Sequence, residues 1–129
     1  MMIIADTDVL IDFLRGEEPH ASRVALEVEH GELRTTAISR FELLAGVKTA
    51  REETFVRELL NAVPALPLDA EAADRAAEVR RTLERQGTPI GMADSLIAGI
   101  VLSCRGTLIT GNTKHFKRVE GLRVSGVYD

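Results

Sequence analysis

Met2-Ile3-Ile4-Ala5-Asp6-Thr7-Asp8 is the stretch on which the reading of this chain turns. A short apolar run of strand character ends abruptly in two carboxylates with a hydroxyl between them. A single Asp or Thr would cap a following helix, so two acids in three residues are more than capping needs. Asp8 stands between both readings, as a second functional acid or as the cap of the helix that follows. In an open α/β sheet, residues that follow a strand lie where sites form, outside the carboxyl ends of the strands and where strand order reverses.

Working outward, the rest of the chain alternates short strand-like runs with longer helical ones. Residues 9–14 read as helical and close at Arg15-Gly16. Residues 19–30 read as helical from Ala21, Val24, Ala25 and Val28, and Gly31 ends them. A second strand is expected over 33–38 and a helical pair over 39–50 and 52–62. The third strand, over 63–68, contains Pro64 and Pro67, which cannot donate to a ladder, so it is expected to be short or irregular. A long helix over 69–86 has Asp69 as cap and Gly87 as stop. The loop Thr88-Pro89-Ile90-Gly91 leads into a helix from about 92 to 105. Then come a fourth strand over 107–110, a helical turn over 113–116 and a fifth strand over 122–127. Strands separated by helices imply an α/β fold with a mainly parallel sheet of roughly five strands and helices on both faces. At 129 residues, the chain is one domain, 1–129.

Two further acids fall at comparable places. Glu42 lies one helical turn past the exit of the second strand, and Asp94 heads the most apolar helix. Thr110 and Asn112 sit at the exit of the fourth strand. Carboxylates gathered at one sheet edge repel one another unless a cation sits among them, and a hard divalent ion with oxygen ligands is the ordinary solution. The pattern points to metal-dependent chemistry on phosphates. Each residue also has a plainer reading. Ser39-x-x-Glu42 is a capping box, Asp94 is a first-turn acid that the helix dipole favours, and Asn112 and Thr110 suit a turn and a strand end. Asp94 is nevertheless the sole acid between Arg85 and Glu120. His20, His30 and His115 lack ligand-like spacing and read as surface residues. Lys114, Lys117 and Arg118 form a basic patch beside Asn112 that is either a solvated helix end or a grip on a phosphate backbone.

Composition narrows the class. The net charge of −4 argues against a plain nucleic-acid binder but not against an enzyme whose catalytic acids lower the charge. With 45% apolar residues and 4% aromatic, the core must be built from Ala, Leu, Val and Ile. A single cysteine, Cys104, precludes an internal disulfide, fits a reducing cytoplasm and reads as a small buried side chain. The N-terminus has no basic region and meets acids within six residues, so neither a signal peptide nor a membrane span is expected.

Taken together, Asp6-Thr7-Asp8-Val9-Leu10-Ile11-Asp12, Phe41-Glu42-Leu43-Leu44-Ala45-Gly46, Ala93-Asp94-Ser95-Leu96-Ile97-Ala98 and Thr110-Gly111-Asn112-Thr113-Lys114-His115-Phe116 resemble the PIN-domain nucleases, most of all the VapC-type toxins. The resemblance runs nearly end to end and rests on order, spacing and total length together. It implies a three-layer α/β/α sandwich and a Mg²⁺- or Mn²⁺-dependent endoribonuclease. It also implies a homodimer and a small cognate antitoxin whose tail covers the site. Residue by residue, Asp6, Glu42 and Asp94 match the family's acidic metal ligands. Asn112 falls where many members have a fourth acid, which suggests ligation through water, and Asp8 stands where Ser or Asn is more usual. Thr7, Thr110 and Lys114 are the candidate substrate contacts.

Two rivals share parts of the pattern. Asp6-Thr7-Asp8 also resembles the first motif of haloacid-dehalogenase-type phosphatases, but only 19 residues follow Thr110, with Glu120 and Asp129 as their acids. That leaves no room for the later lysine and metal motif. A phosphoreceiver domain would use Asp6 or Asp8 for metal, Asp69 as phosphoacceptor and Lys114 as its lysine, but it leaves Glu42 and Asp94 without a role. A PIN scaffold that only binds RNA or a partner is opposed by the three intact acids.

Overall fold

In β1 (Ile3–Ala5), Ile4 packs into one apolar cluster and Ile3 and Ala5 into another, the period of two that a strand buried on both faces requires. The computed structural model describes residues 2–126. After β1 come α1 (Thr7–Arg15), α2 (His20–His30), β2 (Leu33–Thr36), α3 (Ala37–Ala45), α4 (Ala50–Ala62) and β3 (Ala65–Leu66). They are followed by α5 (Ala70–Arg85), α6 (Met92–Cys104), β4 (Thr107–Ile109), α7 (Thr113–Phe116) and β5 (Arg123–Ser125). The sheet order is β3-β2-β1-β4-β5, and every pairing is parallel.

One face is covered by Val9 and Leu10 of α1, Val24 of α2, Leu43 of α3 and Val56 and Leu59 of α4, packed on Ala5, Leu33 and Ile109. The other face packs Val79 and Leu83 of α5, Ile97 and Val101 of α6 and Phe116 of α7 on Ile4 and Leu108. The result is the expected three-layer α/β/α sandwich. From β1 the chain steps outward through β2 to β3, then returns to β4 on the other side of β1. The strand order therefore reverses between β1 and β4, and a crevice opens at their carboxyl ends. No helix among the described residues is long and apolar enough to cross a membrane.

Several boundaries differ from expectation, each for a local reason. The first helix starts at Thr7 rather than at residue 9, because Asp6 is its cap and accepts from Thr7 N at 2.8 Å. The second strand stops at Thr36, whose side chain accepts from Ser39 N at 3.1 Å and starts a helix that takes in Ala37 and Ile38. The helical pair divides at Gly46 and restarts at Thr49, which accepts from Glu52 N at 3.1 Å. The third strand is two residues long between its prolines, with Thr35 N donating to Pro64 O at 3.0 Å. Asp69 accepts from Ala72 N at 2.9 Å as the cap of α5, which occupies the carboxylate that a phosphoreceiver would need. Cys104 is half-buried, its thiol directed at Val101 O. The last residue of the expected fifth strand, Val127, lies outside the described residues, as does Asp129.

Candidate active site at the sheet switch point

Asp6 follows the carboxyl end of β1 directly, and its amide donates to Ile109 O at 2.9 Å, stitching it to the neighbouring strand. Both carboxylate oxygens are held. Oδ1 accepts from Thr7 N, and Oδ2 accepts from the Thr110 hydroxyl at 2.8 Å. Only 6% of Asp6 is exposed. Thr110 is fully buried, so it does not offer the substrate contact expected of it. Its hydroxyl also accepts from Asn112 N at 2.9 Å, which makes it the post that joins Asp6 to the loop after β4.

Glu42 reaches the crevice from the middle of α3. Its Oε1 accepts from the Thr7 hydroxyl at 2.7 Å, and the same hydroxyl lies 2.7 Å from Ser39 Oγ. A carboxylate can only accept, so the single Thr7 proton goes to Glu42 and the Ser39 proton points to Thr7. Glu42 is therefore aimed across the sheet rather than folded back on Ser39. The capping-box alternative fails because the cap is Thr36 and the helix begins earlier. Thr7 has its proton committed to Glu42, so it orients this acid more directly than it could bind substrate.

Asp8 is in the first turn of α1 and is not its cap. Oδ1 accepts from Val9 N at 2.8 Å and Oδ2 from Gly111 N at 3.0 Å, tying the β1 exit to the β4 exit. A Cβ at Gly111 would stand 2.7 Å from Asp8 Oδ2 and 3.1 Å from His20 Cε1, so any side chain there would displace the Asp8 carboxylate. Asp94 enters from the first turn of α6, half-buried.

The charges feel one another. Burial, then the negative charge of Asp8, raises the Asp6 carboxyl from 3.8 to about 7, with Asp94 adding and the Thr110 and Thr7 bonds opposing. Burial also raises Asp94; His115 opposes that rise, and Glu42 and Asp8 add to it. Asp6, Asp8, Glu42 and Asp94 thus form one electrostatic group. As the side chains are arranged, no three His, Cys, Asp or Glu among the described residues converge closely enough to hold a metal ion. The donor chemistry nonetheless suits a hard divalent cation, since the group consists of carboxylate oxygens with hydroxyl and amide support.

His115 is the neighbour that the sequence reading missed. Its Nδ1 accepts from Asn112 Nδ2 at 3.0 Å, which links it through Asn112 and Thr110 to Asp6, and the ring stands close enough to act electrostatically on Asp94. The signal was its spacing, three residues after Asn112 and directly before Phe116, whose complete burial fixes the turn. Lys114 is exposed on the same turn and makes no ion pair among the described residues.

The Thr7–Glu42 bond gives a direct test. Thr7→Val is expected to cut activity by about ten- to a hundredfold, the usual effect of losing a group that orients a metal-binding side chain. Glu42→Gln is expected to leave the melting temperature unchanged, whereas Thr36→Ala costs about 1 kcal/mol through the lost cap. Thermal melts and RNA cleavage on the three variants check this. A stability loss confined to Glu42→Gln would restore the capping box.

Comparison with known proteins places this geometry. The PIN domain family model matches residues 3–122. The tRNA(fMet)-specific endonuclease VapC of Shigella flexneri is 29% identical over 127 residues, covering 95% of this chain and 96% of that protein. Ribonuclease VapC10 of Mycobacterium tuberculosis is 34% identical over 122 residues, covering 95% and 91%. The structure of VapBC-1 from nontypeable Haemophilus influenzae superposes with a TM-score of 0.85 at 26% identity, covering all of both chains. DNA-bound VapBC from Salmonella typhimurium gives a TM-score of 0.85 at 26% identity and 98% coverage of each. This chain belongs to the PIN-domain family, within its VapC group of ribonucleases. Divalent-metal dependence is general in that family.

Proposed function

We propose that this chain is the endoribonuclease toxin of a toxin–antitoxin pair, hydrolysing RNA phosphodiester bonds at the Asp6, Glu42 and Asp94 cluster with water as the nucleophile. The observation that carries the reading is the mutual electrostatics of four carboxylates at the switch point, strong enough to help push Asp6 to about 7. A site built only to bind RNA would present cations there. Asp6, Glu42 and Asp94 would hold Mg²⁺ or Mn²⁺, with Asp8 beside them and Asn112 acting through water. When bound, that cation supplies the positive charge that admits a phosphodiester among acids and lowers the pKa of a water molecule.

The protein's own groups do the positioning. Thr7 N and the Thr110 hydroxyl fix both oxygens of Asp6, and the Thr7 hydroxyl aims Glu42. Asp8 locks the loop after β4 through Gly111 N. Lys114 offers an exposed cation beside the crevice for the RNA backbone. The phosphatase alternative would need Asp6 as a nucleophile, yet that carboxylate is buried with both oxygens engaged.

The relatives are named as endonucleases and ribonucleases, and the structural neighbours as VapBC complexes. They support RNA as substrate and a small cognate antitoxin as partner. Phe41 and Met92 are 69% and 65% exposed near the crevice, apolar surface that a second copy would cover in a homodimer. A cytoplasmic location accords with the single half-buried thiol.

Metal removal tests the proposal. RNA cleavage by the purified protein is expected to cease in EDTA and to return with Mg²⁺ or Mn²⁺, but not with Ca²⁺ at equal concentration. Cleavage that persists in EDTA at the untreated rate would overturn it.

A further inference from the structure

The sheet has a second end, and it carries a cavity of about 450 Å³. Gly106, just before β4, and Arg123, which opens β5, line it, so it lies at the amino ends of these strands, away from the acids at the carboxyl ends. Arg75 of α5, Arg105 at the end of α6, Arg118 after α7 and Arg123 surround it, against only Glu78 and Glu120. A chain of net charge −4 has therefore concentrated a positive surplus on one concave surface.

Three of the four arginines are not spent on neighbours. Arg75 approaches Glu71 at 3.7 Å in an exposed pair. Among the described residues, Arg105, Arg118 and Arg123 make no ion pair, although Glu78 and Glu120 share the cavity with them. Arg105 is notable on a separate ground. It has φ 58° and ψ 31°, and it is the one non-glycine residue with positive φ among those described. The chain ends α1 and α2 with glycine in this conformation, which glycine adopts without strain. At the end of α6 it accepts the strain and places a guanidinium on the cavity instead.

We propose that this cavity binds a phosphorylated nucleoside. Guanidinium groups grip phosphate through paired hydrogen bonds, and the volume falls in the range of small-ligand sites. Leu102 and Leu122, both partly exposed, give an apolar bed for sugar and base, while Thr82 and Gln86 supply hydroxyl and amide groups for a base edge. A free mononucleotide and the terminal nucleotide of an RNA strand share this chemistry. The inference does not depend on the ribonuclease reading.

Isothermal titration of the full chain with adenosine 5′-monophosphate, in EDTA to deny the acidic crevice a cation, tests the site. One mononucleotide should bind per chain, about tenfold or more tighter than adenosine or inorganic phosphate alone. The combined change Arg105→Gln and Arg118→Gln should weaken binding by about tenfold or more, while Asp94→Asn leaves it unchanged. Displacement of the mononucleotide by a short 5′-phosphorylated RNA, but not by its 5′-hydroxyl form, assigns the RNA end as the ligand. Failure to displace assigns the free nucleotide. If circular dichroism shows the double variant unfolded, Arg123→Gln carries the same expectation. The proposal is overturned by no binding at millimolar concentration, by affinity unaltered in the folded arginine variants, by loss in Asp94→Asn, or by uptake of a glutamate-rich peptide in place of the nucleotide.

Discussion

Replacing Asp94 by Asn is expected to slow RNA cleavage at least about a hundredfold, since changing groups that merely orient metal ligands already costs ten- to a hundredfold. Asp6→Asn should behave alike. Neither change alters side-chain shape, so circular dichroism should remain native. The metal-free Asp94→Asn protein should be as stable as the parent, or more so, because it removes one member of a mutually repelling group, whereas Asp6→Asn also gives up one of the two bonds that Asp6 accepts. Wild-type cleavage by either variant in Mg²⁺ would remove that acid from the active site.

Asp6 also gives the metal-free protein a pH dependence of definite sign. Its carboxyl ionises near 3.8 in the unfolded chain and at about 7 in the folded one. Between those values the folded state holds the extra proton, so stability is fully present below the unfolded value and is lost as pH rises through about 7. The loss amounts to up to about 4 kcal/mol, because each tenfold difference in acidity between the two states is worth about 1.36 kcal/mol. Denaturant midpoints measured in EDTA from pH 4 to pH 8 should fall for the parent and fall clearly less for Asp6→Asn, in which Asp94, also raised by burial, keeps its share. A level profile in the parent would show that Asp6 ionises normally.

The second large effect concerns packing. Gly99→Ala is expected to destabilise the fold by about 3 kcal/mol or more, at the upper end of overpacking. A Cβ at Gly99 would lie 2.4 Å from Ala72 O, 2.7 Å from Ala76 Cβ and 2.7 Å from Ala76 N. None of those atoms belongs to a flexible side chain, so α5 and α6 must separate. The melting temperature should drop by roughly 10 °C or more for a domain of this size. Gly91→Ala is the control, with nothing within 4 Å of its added Cβ, and should be nearly neutral. A Gly99→Ala protein that melts with the parent would mean that the two helices pack less closely.

Much of this is legible in the sequence alone. The alternation of runs located all five strands and the long helices, because burial on one or both faces leaves a period that sequence records. Pro64 and Pro67 foretold the two-residue β3, and Asp69 the start of α5. The errors were at boundaries. Thr36, Thr49 and Asp6 each began a helix earlier or elsewhere than expected, because a hydroxyl or carboxylate caps whichever amides the tertiary position leaves unpaired. Arg105 concealed a C-cap where glycine was the natural sign.

The sequence by itself determined the fold class and singled out Asp6, Glu42 and Asp94 as candidate acids, since strand exits and helix starts are local features that place a carboxylate where sites form. Only the tertiary structure decided what each polar group does. Thr7 aims Glu42 from 35 residues away, and Thr110 holds Asp6 across 104. His115, read from the sequence as a surface residue, acts on Asp94. The cavity rimmed by Arg75, Arg105, Arg118 and Arg123 draws its wall from α5, α6, β5 and the turn after α7. Hydrogen bonds and Coulomb forces act over a few ångströms of space, and distance along the chain carries no record of which residues the parallel sheet will bring that close.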